Sequence, residues 1–467
     1  GVNNVFDDGS ASNHTITANG NVTQGSFGPF AREEGAWGWS FDSSAEGLVL
    51  NYGSTSHNYW NGNFTWEFWI NTTDASSLNV LFGCWADNGM SGGSYAVGFP
   101  ANGKIGVDNR ESSVGNGGPF VVSATAINDG AWHHIAITQV DDGGSTKYFR
   151  IFVDGVLDAY DTETSWTQGT SGQEITIGGL SIIASSYEAA RRYTGLISNW
   201  RIVESIVYST ASTTIGATIF TPPTGPLTAI TNTRILSCQS NRFVDNSTNG
   251  YAIASNGNGK VSAFGPFLTD EVYDPAVNGA SAYFDEDADY LSCGSSNDFD
   301  MSDGDITWEC WVFFDTISGQ NGVFEYFTDD ANTMHLESIN GNLAVLVRTG
   351  GSTVLSGTVT SPATGQWHHI ALTRSSGGAW KLYVNGSQTD LGSESGSFNT
   401  SSVPLNIGVA QYGVNGFIDG YVCDFRLVKG SLVYTSNFTP PTAPLTAITN
   451  TKLLLNMADG QAIDSAA

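Results

Sequence analysis

One short stretch of alternating aromatic residues decides the fold, and it occurs twice. The first copy is Thr65-Trp66-Glu67-Phe68-Trp69, and the second is Thr307-Trp308-Glu309-Cys310-Trp311. Successive side chains of a β-strand point to opposite faces. In the first copy this places Phe64, Trp66, Phe68 and Ile70 on one face, with Glu67 and Trp69 on the other. The stretch therefore predicts a β-strand that buries an aromatic face.

The segments on either side of this strand also return in the same order. The repeated pairs are Phe27-Gly28-Pro29-Phe30 with Phe264-Gly265-Pro266-Phe267, Trp132-His133-His134-Ile135-Ala136 with Trp367-His368-His369-Ile370-Ala371, and Phe220-Thr221-Pro222-Pro223 with Phe438-Thr439-Pro440-Pro441. The heptapeptide 227–233 returns unaltered at 445–451. Ordered self-similarity of this kind indicates homologous domains. We place the first at residues 1–239 and the second at 240–467.

Strand and turn signals dominate both halves, and no long stretch has helical periodicity. Asp154-Gly155 and Asn385-Gly386 each follow a run typical of a β-strand, which predicts a hairpin at each site. The chain also contains 56 glycines. These features predict an all-β chain of two tandem antiparallel β-sandwiches of the jelly-roll kind.

The charge balance disfavours two classes of partner. The chain has 17 Lys and Arg against 45 Asp and Glu, a formal net charge of −28. Binding to nucleic acid or to an anionic membrane needs clustered cations, so neither is expected. No apolar run is long enough to suggest membrane insertion.

The five cysteines do not form a disulfide framework. Their number is odd, and most lie in apolar, strand-like runs, as Cys310 does between Glu309 and Trp311. We therefore expect all five to be reduced.

The two ends of the chain resemble the junction between the copies. Asp8-Gly9-Ser10 precedes the first Phe-Gly-Pro-Phe segment, and Asp464-Ser465 follows the last strand signal. The tail from about residue 456 is therefore expected to start a further repeat, and the chain to be an excerpt of a longer array. Pro222, Pro223 and Pro226 restrict the backbone and are expected to stiffen a linker between the domains.

Three elements carry a family resemblance: the Trp-x-x-Trp strand, the Trp-His-His-Ile-Ala strand with its following hairpin, and a late strand that ends in arginine. The last is seen at 195–201 and 416–426. Together they resemble the laminin-G-like branch of the concanavalin A-like lectin/glucanase superfamily. The closing element at 434–451 is also similar to repeats of marine bacteriophage tail fibre and virion proteins. The fold hosts lectins, adhesion modules, glycosidases and spacers, so the resemblance alone fixes no function.

Catalytic chemistry is not expected. A retaining glycosidase needs two carboxyl groups about 5 to 5.5 Å apart, whereas Glu67 and Glu309 are each the single acid of an aromatic-rich stretch. The pairs His133-His134 and His368-His369 cannot chelate one ion, because neighbours on a strand point to opposite faces. A structural role is expected for all of these residues.

A calcium site is one candidate in the second copy. Asp285, Asp287 and Asp289 are spaced two apart, and their carboxylates would converge on Ca²⁺ if the segment turns. If the segment is a plain strand, they share one solvated face instead.

Sugar recognition is the other candidate, because lectin sites pair an aromatic face with Asp or Asn. The candidate residues are Trp85, Asp87 and Asn88 in the first copy and Tyr326, Asp329 and Asp330 in the second. The alternative is that Trp85 and Tyr326 are core residues at strand ends.

The sequence thus favours a non-enzymatic structural or binding repeat protein of a virion or an extracellular fibre. Its expected partners are other copies or repeats of the same assembly, with cell-surface glycans as candidate ligands. The alternative is a secreted bacterial Ca²⁺-dependent lectin or adhesin, and a glycoside hydrolase is the least favoured class.

Overall fold

A computed structural model describes most of the chain. The described residues are 12, 16–19, 23–25, 30, 37–42, 47–51, 62–74, 79–84, 94–100, 103–110, 121–164, 175–183, 186–243, 246, 248–249, 252–256, 260–262, 278–302, 304–394, 400–410 and 416–457. They form two compact units. The first sandwich is Glu33–Thr269, and the second sandwich is Asp270–Ala467 together with Gly1–Arg32.

The chain is built from short antiparallel strands. Those up to residue 262 are β1 (Thr17–Asn19), β2 (Thr23–Gly25), β3 (Gly38–Asp42), β4 (Gly47–Asn51), β5 (Phe64–Asn71), β6 (Asn79–Cys84), β7 (Ser94–Phe99), β8 (Lys104–Arg110), β9 (Val121–Ala126), β10 (Trp132–Asp141), β11 (Lys147–Val153), β12 (Val156–Glu163), β13 (Ile175–Ile177), β14 (Gly179–Ile183), β15 (Ser186–Arg192), β16 (Thr194–Val203), β17 (Thr233–Ser237), β18 (Ala252–Asn256) and β19 (Lys260–Ser262).

The remaining strands belong to the second half. They are β20 (Ser281–Asp285), β21 (Tyr290–Ser292), β22 (Ile306–Phe314), β23 (Gln320–Asp329), β24 (Asn332–Ile339), β25 (Asn342–Thr349), β26 (Ser352–Thr360), β27 (Trp367–Arg374), β28 (Ala379–Val384), β29 (Ser387–Ser393), β30 (Leu405–Ile407), β31 (Asp419–Lys429) and β32 (Thr451–Leu455). A 3-10 turn, Asn297–Phe299, precedes β22.

Each sandwich pairs two sheets of corresponding strand order. In the first sandwich the orders are β12-β11-β10-β5-β16-β3-β19, with β17 beside β16, and β18-β4-β13-β6-β7-β8-β9. In the second they are, in the same direction, β29-β28-β27-β22-β31-β20-β2, with β32 beside β31, and β1-β21-β30-β23-β24-β25-β26. The prediction of two antiparallel β-sandwiches is confirmed.

The repeated aromatic strands sit at the centre of these sheets, as β5 and β22. The predicted face of Phe64, Trp66, Phe68 and Ile70 lies in the core, and all four side chains are completely buried. Trp66 contacts Phe82 of the facing sheet edge to face, with ring centroids 5.5 Å apart. Burial of large aromatic side chains such as these dominates the stability of a sandwich core.

Both predicted hairpins are present. Asp154 and Gly155 have φ values of 49° and 79°, and Asn385 and Gly386 have values of 50° and 80°. Two successive positive φ values define a type I′ turn, which matches the twist of the strands it joins.

The domain bounds in the structure differ from those expected. Residues beyond 239 still belong to the first sandwich, because β18 pairs with β4 and β19 pairs with β3. Phe243 also packs edge to face on Trp39, with ring centroids 5.1 Å apart. Conversely, β1 and β2 pair with β21 and β20 of the second sandwich. Edge strands thus come from segments that the repeat pattern assigned to the neighbouring domain.

The C-terminal expectation is partly outside the described residues. Residues 458–467 are not described. Asn456 and Met457 belong to the second sandwich, since Met457 is buried in its core and Asn456 Nδ2 donates to Leu445 O at 2.9 Å.

The cysteines of the described residues are buried thiols. Cys238, Cys293, Cys310 and Cys423 form no disulfide, as predicted, and the Cys84 side chain lies outside the described part. In the same part of the chain, no helix is long and apolar enough to cross a membrane.

Candidate functional site: a buried carboxylate under a strap

An irregular segment covers the outer face of the larger sheet in each sandwich. We call residues 204–232 the first strap and residues 430–450 the second strap. The first strap packs Tyr208, Ile219 and Phe220 onto Phe152 and Leu157 of the sheet. Its ring pair Tyr208–Phe220 is stacked at 3.6 Å, and the matching pair Tyr434–Phe438 of the second strap is also stacked at 3.6 Å.

Each strap buries the glutamate of the central strand. Glu67 points away from the sandwich core, as predicted, yet its side chain is completely buried beneath the strap. Arg201 Nε and Nη2 donate to Glu67 Oε1 at 2.9 and 2.6 Å. Tyr208 Oη donates to Oε2 at 2.6 Å. Both carboxylate oxygens of Glu67 are therefore satisfied by protein groups.

The second sandwich repeats this arrangement closely. Arg426 Nε and Nη2 donate to Glu309 Oε1 at 2.8 and 2.6 Å. Tyr434 Oη donates to Oε2 at 2.7 Å, and His369 Nε2 lies 3.2 Å from the same oxygen. In the first sandwich His134 Nε2 lies 3.4 Å from Glu67 Oε2.

The arginine also holds the strap itself. Arg201 Nη1 donates to Thr228 O at 2.5 Å, and Arg426 Nη1 donates to Thr446 O at 2.7 Å. The start of each strap is fixed by a threonine of the central strand, since Val207 N donates to Thr65 Oγ1 and Val433 N donates to Thr307 Oγ1, both at 3.0 Å. One carboxylate and its arginine thus join the central strands to the strap at each site.

The network keeps both glutamates ionised. Burial by itself would raise the pKa of Glu67, but the hydrogen bond with His134 and the charge of Arg201 lower it below the usual value. Burial opposes ionisation of Glu309 in the same way, and His369 and Arg426 lower its pKa. Burial and the adjacent carboxylate raise the pKa of Tyr208 and Tyr434, so both hydroxyls remain donors.

The histidine pairs connect this network to the hairpin turns. His133 Nδ1 lies 2.7 Å from Asp154 Oδ2, while His134 N donates to Asp154 Oδ1 at 2.8 Å. In the second copy Asn385 Nδ2 lies 3.0 Å from His368 Nδ1, and His369 N donates to Asn385 Oδ1 at 3.0 Å. Each pair is thus hydrogen-bonded to the first residue of its hairpin turn.

The glycine of each turn is where the strap docks. Phe438 N donates to Gly386 O at 3.0 Å, and Ile219 N donates to Gly155 O at 2.8 Å. A Cβ on Gly386 would lie 1.8 Å from Phe438 O, and one on Gly155 would lie 2.0 Å from Phe220 O. Only glycine fits, because the backbone has a positive φ and the strap carbonyl approaches so closely.

Of the two sets of candidate sugar residues, the structure describes the one in the second copy. Trp85, Asp87 and Asn88 lie outside the described residues. Tyr326 is completely buried, and its hydroxyl accepts a hydrogen bond from Trp308 Nε1 at 3.2 Å, so it is a core residue without a face for a sugar. Asp329 and Asp330 are exposed at the turn after β23, where Asp329 Oδ1 accepts from Ala331 N at 2.8 Å.

The candidate calcium ligands lie on a turn after β20. Asp285 N donates to Asp289 Oδ2 at 3.3 Å, and Asp287 N donates to Asp285 Oδ1 at 3.1 Å. Asp289 is buried, whereas Asp287 is exposed. Within the described residues, no group of three or more His, Cys, Asp or Glu side chains is placed to hold a metal ion. The three aspartates therefore do not converge as a ligand set in this conformation.

No local sequence signal linked Glu67 and Glu309 to their partners. Both copies have an arginine and a tyrosine at equivalent positions: Arg201 and Tyr208 in the first copy, and Arg426 and Tyr434 in the second. The missed signal was joint retention of an acid, a base and a phenol, because a buried carboxylate requires compensating groups.

Two antiparallel sandwiches, each with a glutamate–arginine pair sealed by a strap, define a tandem all-β repeat protein. Residues 49–209 and 285–434 match a laminin-G family that is described as the concanavalin A-like lectin/glucanases superfamily. The match spans more than half of the chain, and the chain belongs to this family.

Solved structures match the chain at low sequence identity. Domains LG4-5 of the mouse laminin alpha1 chain are 12% identical, cover 85% of this chain and 90% of their own, and give a TM-score of 0.29. The native heptameric SAP-like pentraxin of Limulus polyphemus is 14% identical, covers 37% and 77%, and gives 0.29. Tailspike protein 2 of bacteriophage CBA120, in its enzymatically active domain, is 18% identical, covers 34% and 27%, and gives 0.27. No curated protein sequence matches the chain significantly.

Proposed function

We propose that the chain is a non-enzymatic structural and binding repeat protein of a virion or an extracellular fibre. The main observation behind this proposal is that the glutamate retained in each copy is buried under its strap and contacts arginine, tyrosine and histidine. Domains of this family are typically extracellular, which supports the setting.

The geometry argues against hydrolysis at these glutamates. Most glycosidases present two carboxyl groups to the substrate, with access for the attacking water. Glu67 and Glu309 are completely buried, and each is paired with an arginine instead of a second acid. Their chemistry is that of a buried ion pair, which is costly to break and holds one arrangement of the chain.

Hydrolysis can be tested with the intact chain. A panel of plant, algal and bacterial polysaccharides is incubated with the wild-type chain, and new reducing ends are measured. We expect no release above that of the Glu67→Gln and Glu309→Gln variants, with both variants melting at lower temperature. Release by the wild type that either variant abolishes would contradict the non-enzymatic role.

Carbohydrate recognition is the binding part of the proposal. The exposed acids Asp329 and Asp330 at the turn after β23 are the described residues that support it. A glycan array should show binding that Asp330→Ala weakens and that Asp390→Ala, which also removes an exposed acid, leaves unchanged. An array without any bound glycan, or equal loss in both variants, would remove sugar recognition from the proposal.

A Ca²⁺-dependent lectin or adhesin is the alternative function. The Asp289 carboxylate accepts a hydrogen bond from Asp285 N across a turn, which supports it, and the carboxylates of Asp285 and Asp287 would have to turn toward it. Calorimetric titration of Ca²⁺ into the intact chain decides the matter. Heat of binding that Asp287→Asn abolishes favours the alternative. If there is no heat and no rise in melting temperature with millimolar Ca²⁺, the alternative fails.

A further inference from the structure

The second sandwich takes its two edge strands from the far end of the chain. β1 pairs with β21, with Ala18 opposite Leu291, and β2 pairs with β20, with Gln24 opposite Ala282. One short segment thus supplies an end strand to each of the two sheets. We call its described residues 12, 16–19, 23–25 and 30 the clasp.

The clasp is held by side chains as well as by strand pairing. Ile16 packs against the core of the second sandwich. Phe30 contacts Trp311 edge to face with ring centroids 5.8 Å apart, and it also lies against Gly279, where an added Cβ would meet its ring at 2.9 Å. Ser12 Oγ donates to Asp298 Oδ2 at 2.8 Å. These contacts fix a defined seat for the clasp.

The first sandwich has equivalent edge positions, and they are filled by a segment from another place in the sequence. There β18 pairs with β4 and β19 pairs with β3, and both strands lie at the ends of their sheets. This segment follows β17 directly along the chain. Its sequence resembles the clasp, since Phe27-Gly28-Pro29-Phe30 corresponds to Phe264-Gly265-Pro266-Phe267. The two segments are therefore equivalent edge modules, one joined locally and one remotely.

We infer that the clasp is exchangeable and that a second copy of this chain can donate it to the second sandwich. The clasp is joined to its seat only through residues 33–269, so every contact within the seat is non-covalent and is the same whichever copy supplies it. Its paired strands are only three residues long each, which favours local opening at the edge. An open edge offers a template for strand addition.

Donation between copies would link chains in a head-to-tail series, because each copy gives a clasp and accepts one. Such a contact is heterologous, and it extends into a filament unless the rotation closes a ring. The inference rests on the proposed role as a structural repeat. It is nevertheless tested separately, since clasp exchange is independent of polysaccharide hydrolysis and glycan binding.

Two single-cysteine variants of the full chain test the exchange. Thr17 and Ser292 are direct partners in the β1–β21 pairing. A chain with Thr17→Cys and a chain with Ser292→Cys are mixed, held at up to about 1 mM, the range of typical effective concentrations of tethered segments, and oxidised. We expect a disulfide-linked heterodimer on non-reducing gels, with a yield that rises with concentration.

The control uses the equivalent edge segment of the first sandwich, β18 and β19, which follows β17 directly along the chain. Ala254 and Val49 are partners in the β18–β4 pairing, so chains with Ala254→Cys and Val49→Cys are mixed in the same way. We expect about tenfold less heterodimer from this pair, since an adjacent segment reseats before another copy can replace it. Native mass spectrometry of the wild type at rising concentration should show oligomers that Phe30→Asp reduces. Equal yields from both cysteine pairs, or a wild type that stays monomeric throughout, would overturn the inference.

Discussion

Asp424 occupies in the second sandwich the position that Asn199 occupies in the first. Both residues have a φ of 51°, and both lie at the register shift of the long strand, β31 or β16. Gln239 Nε2 donates to Asn199 Oδ1 at 2.5 Å, and Asn456 Nδ2 donates to Asp424 Oδ1. A neutral amide in one copy is thus replaced by an ionisable group of nearly the same shape in the other.

Because Asp424 stands where the first sandwich has Asn199, the stability of the second sandwich should depend on pH. Burial raises the pKa of Asp424 from 3.8 to about 7. The unfolded chain releases this proton near pH 3.8 and the folded chain near pH 7, so stability falls as pH rises between the two values and then levels off. Asp424→Asn removes the free-energy cost of ionising this buried carboxyl group. We expect it to stabilise the second sandwich by up to about 4 kcal/mol at pH 8 and by little near pH 4.

Scanning calorimetry of the full chain between pH 4 and pH 8 measures this effect. The reciprocal variant Asn199→Asp is the matched control, and it should give the first sandwich the pH dependence that the second loses. A stabilisation by Asp424→Asn that is the same at all pH values would contradict the titration of Asp424.

The buried ion pair predicts a non-additive pair of substitutions. Glu67→Leu leaves Arg201 without its carboxylate and should destabilise the first sandwich by about 3 to 5 kcal/mol. Arg201→Met alone leaves Glu67 unpaired and should cost a similar amount. The double variant Glu67→Leu with Arg201→Met buries no charge, so it should be more stable than either single variant.

Thermal or denaturant unfolding of the full chain checks this order. Tyr208→Phe provides a milder reference, because it removes one hydrogen bond to the carboxylate at a cost of about 1.5 to 3 kcal/mol. Costs of the two single changes that simply add in the double variant would show that Glu67 and Arg201 do not act as a pair.

The central strands and hairpins could be predicted from sequence because their signals are local. Alternation assigned Phe64, Trp66, Phe68 and Ile70 to the core, and the Asp-Gly and Asn-Gly dipeptides marked the turns. Which sandwich each edge strand belongs to was not predicted. Strands as short as β1 and β19 pair through backbone groups, which leave little trace in side-chain periodicity.

The candidate site was harder to predict for a different reason. Burial of Glu67 depends on a strap that has no regular structure, and the strap is positioned by Arg201, which lies 134 residues along the chain from Glu67. The prolines at 222 and 223 were expected to stiffen a linker, but Pro222 lies against Gly155 of the same sandwich. Long-range contacts of this kind depend on the whole fold and on no single motif.

The cysteines should react only when the chain unfolds. Burial raises the pKa of Cys238, Cys310 and Cys423, which suppresses the reactive thiolate and also blocks access. With Ellman's reagent at pH 8, these three thiols should remain unmodified in the native chain. In denaturant without reductant all five cysteines of the sequence should react. Fewer than five would reveal a disulfide.

Docking of the second strap at the Asn385-Gly386 turn gives a last prediction. Ala at position 386 would strain the backbone, which has a φ of 80°, and its Cβ would also displace Phe438 O. We therefore expect Gly386→Ala to loosen the strap around Tyr434 and Phe438. Limited digestion with chymotrypsin should cut after these residues faster than in the wild type, with a lower melting temperature of the second sandwich.

The matched control is Gly341→Ala in the Asn340-Gly341 turn between β24 and β25. Gly341 has a φ of 74°, but an added Cβ there meets nothing within 4 Å. This variant should cost only the backbone strain of about 1 to 2 kcal/mol and leave the strap resistant to chymotrypsin. The difference between the two variants then isolates the strap contact from the strain. If both variants lose the same stability and remain equally resistant, Gly386 serves the turn alone, and the strap is held by Arg426 and Glu309.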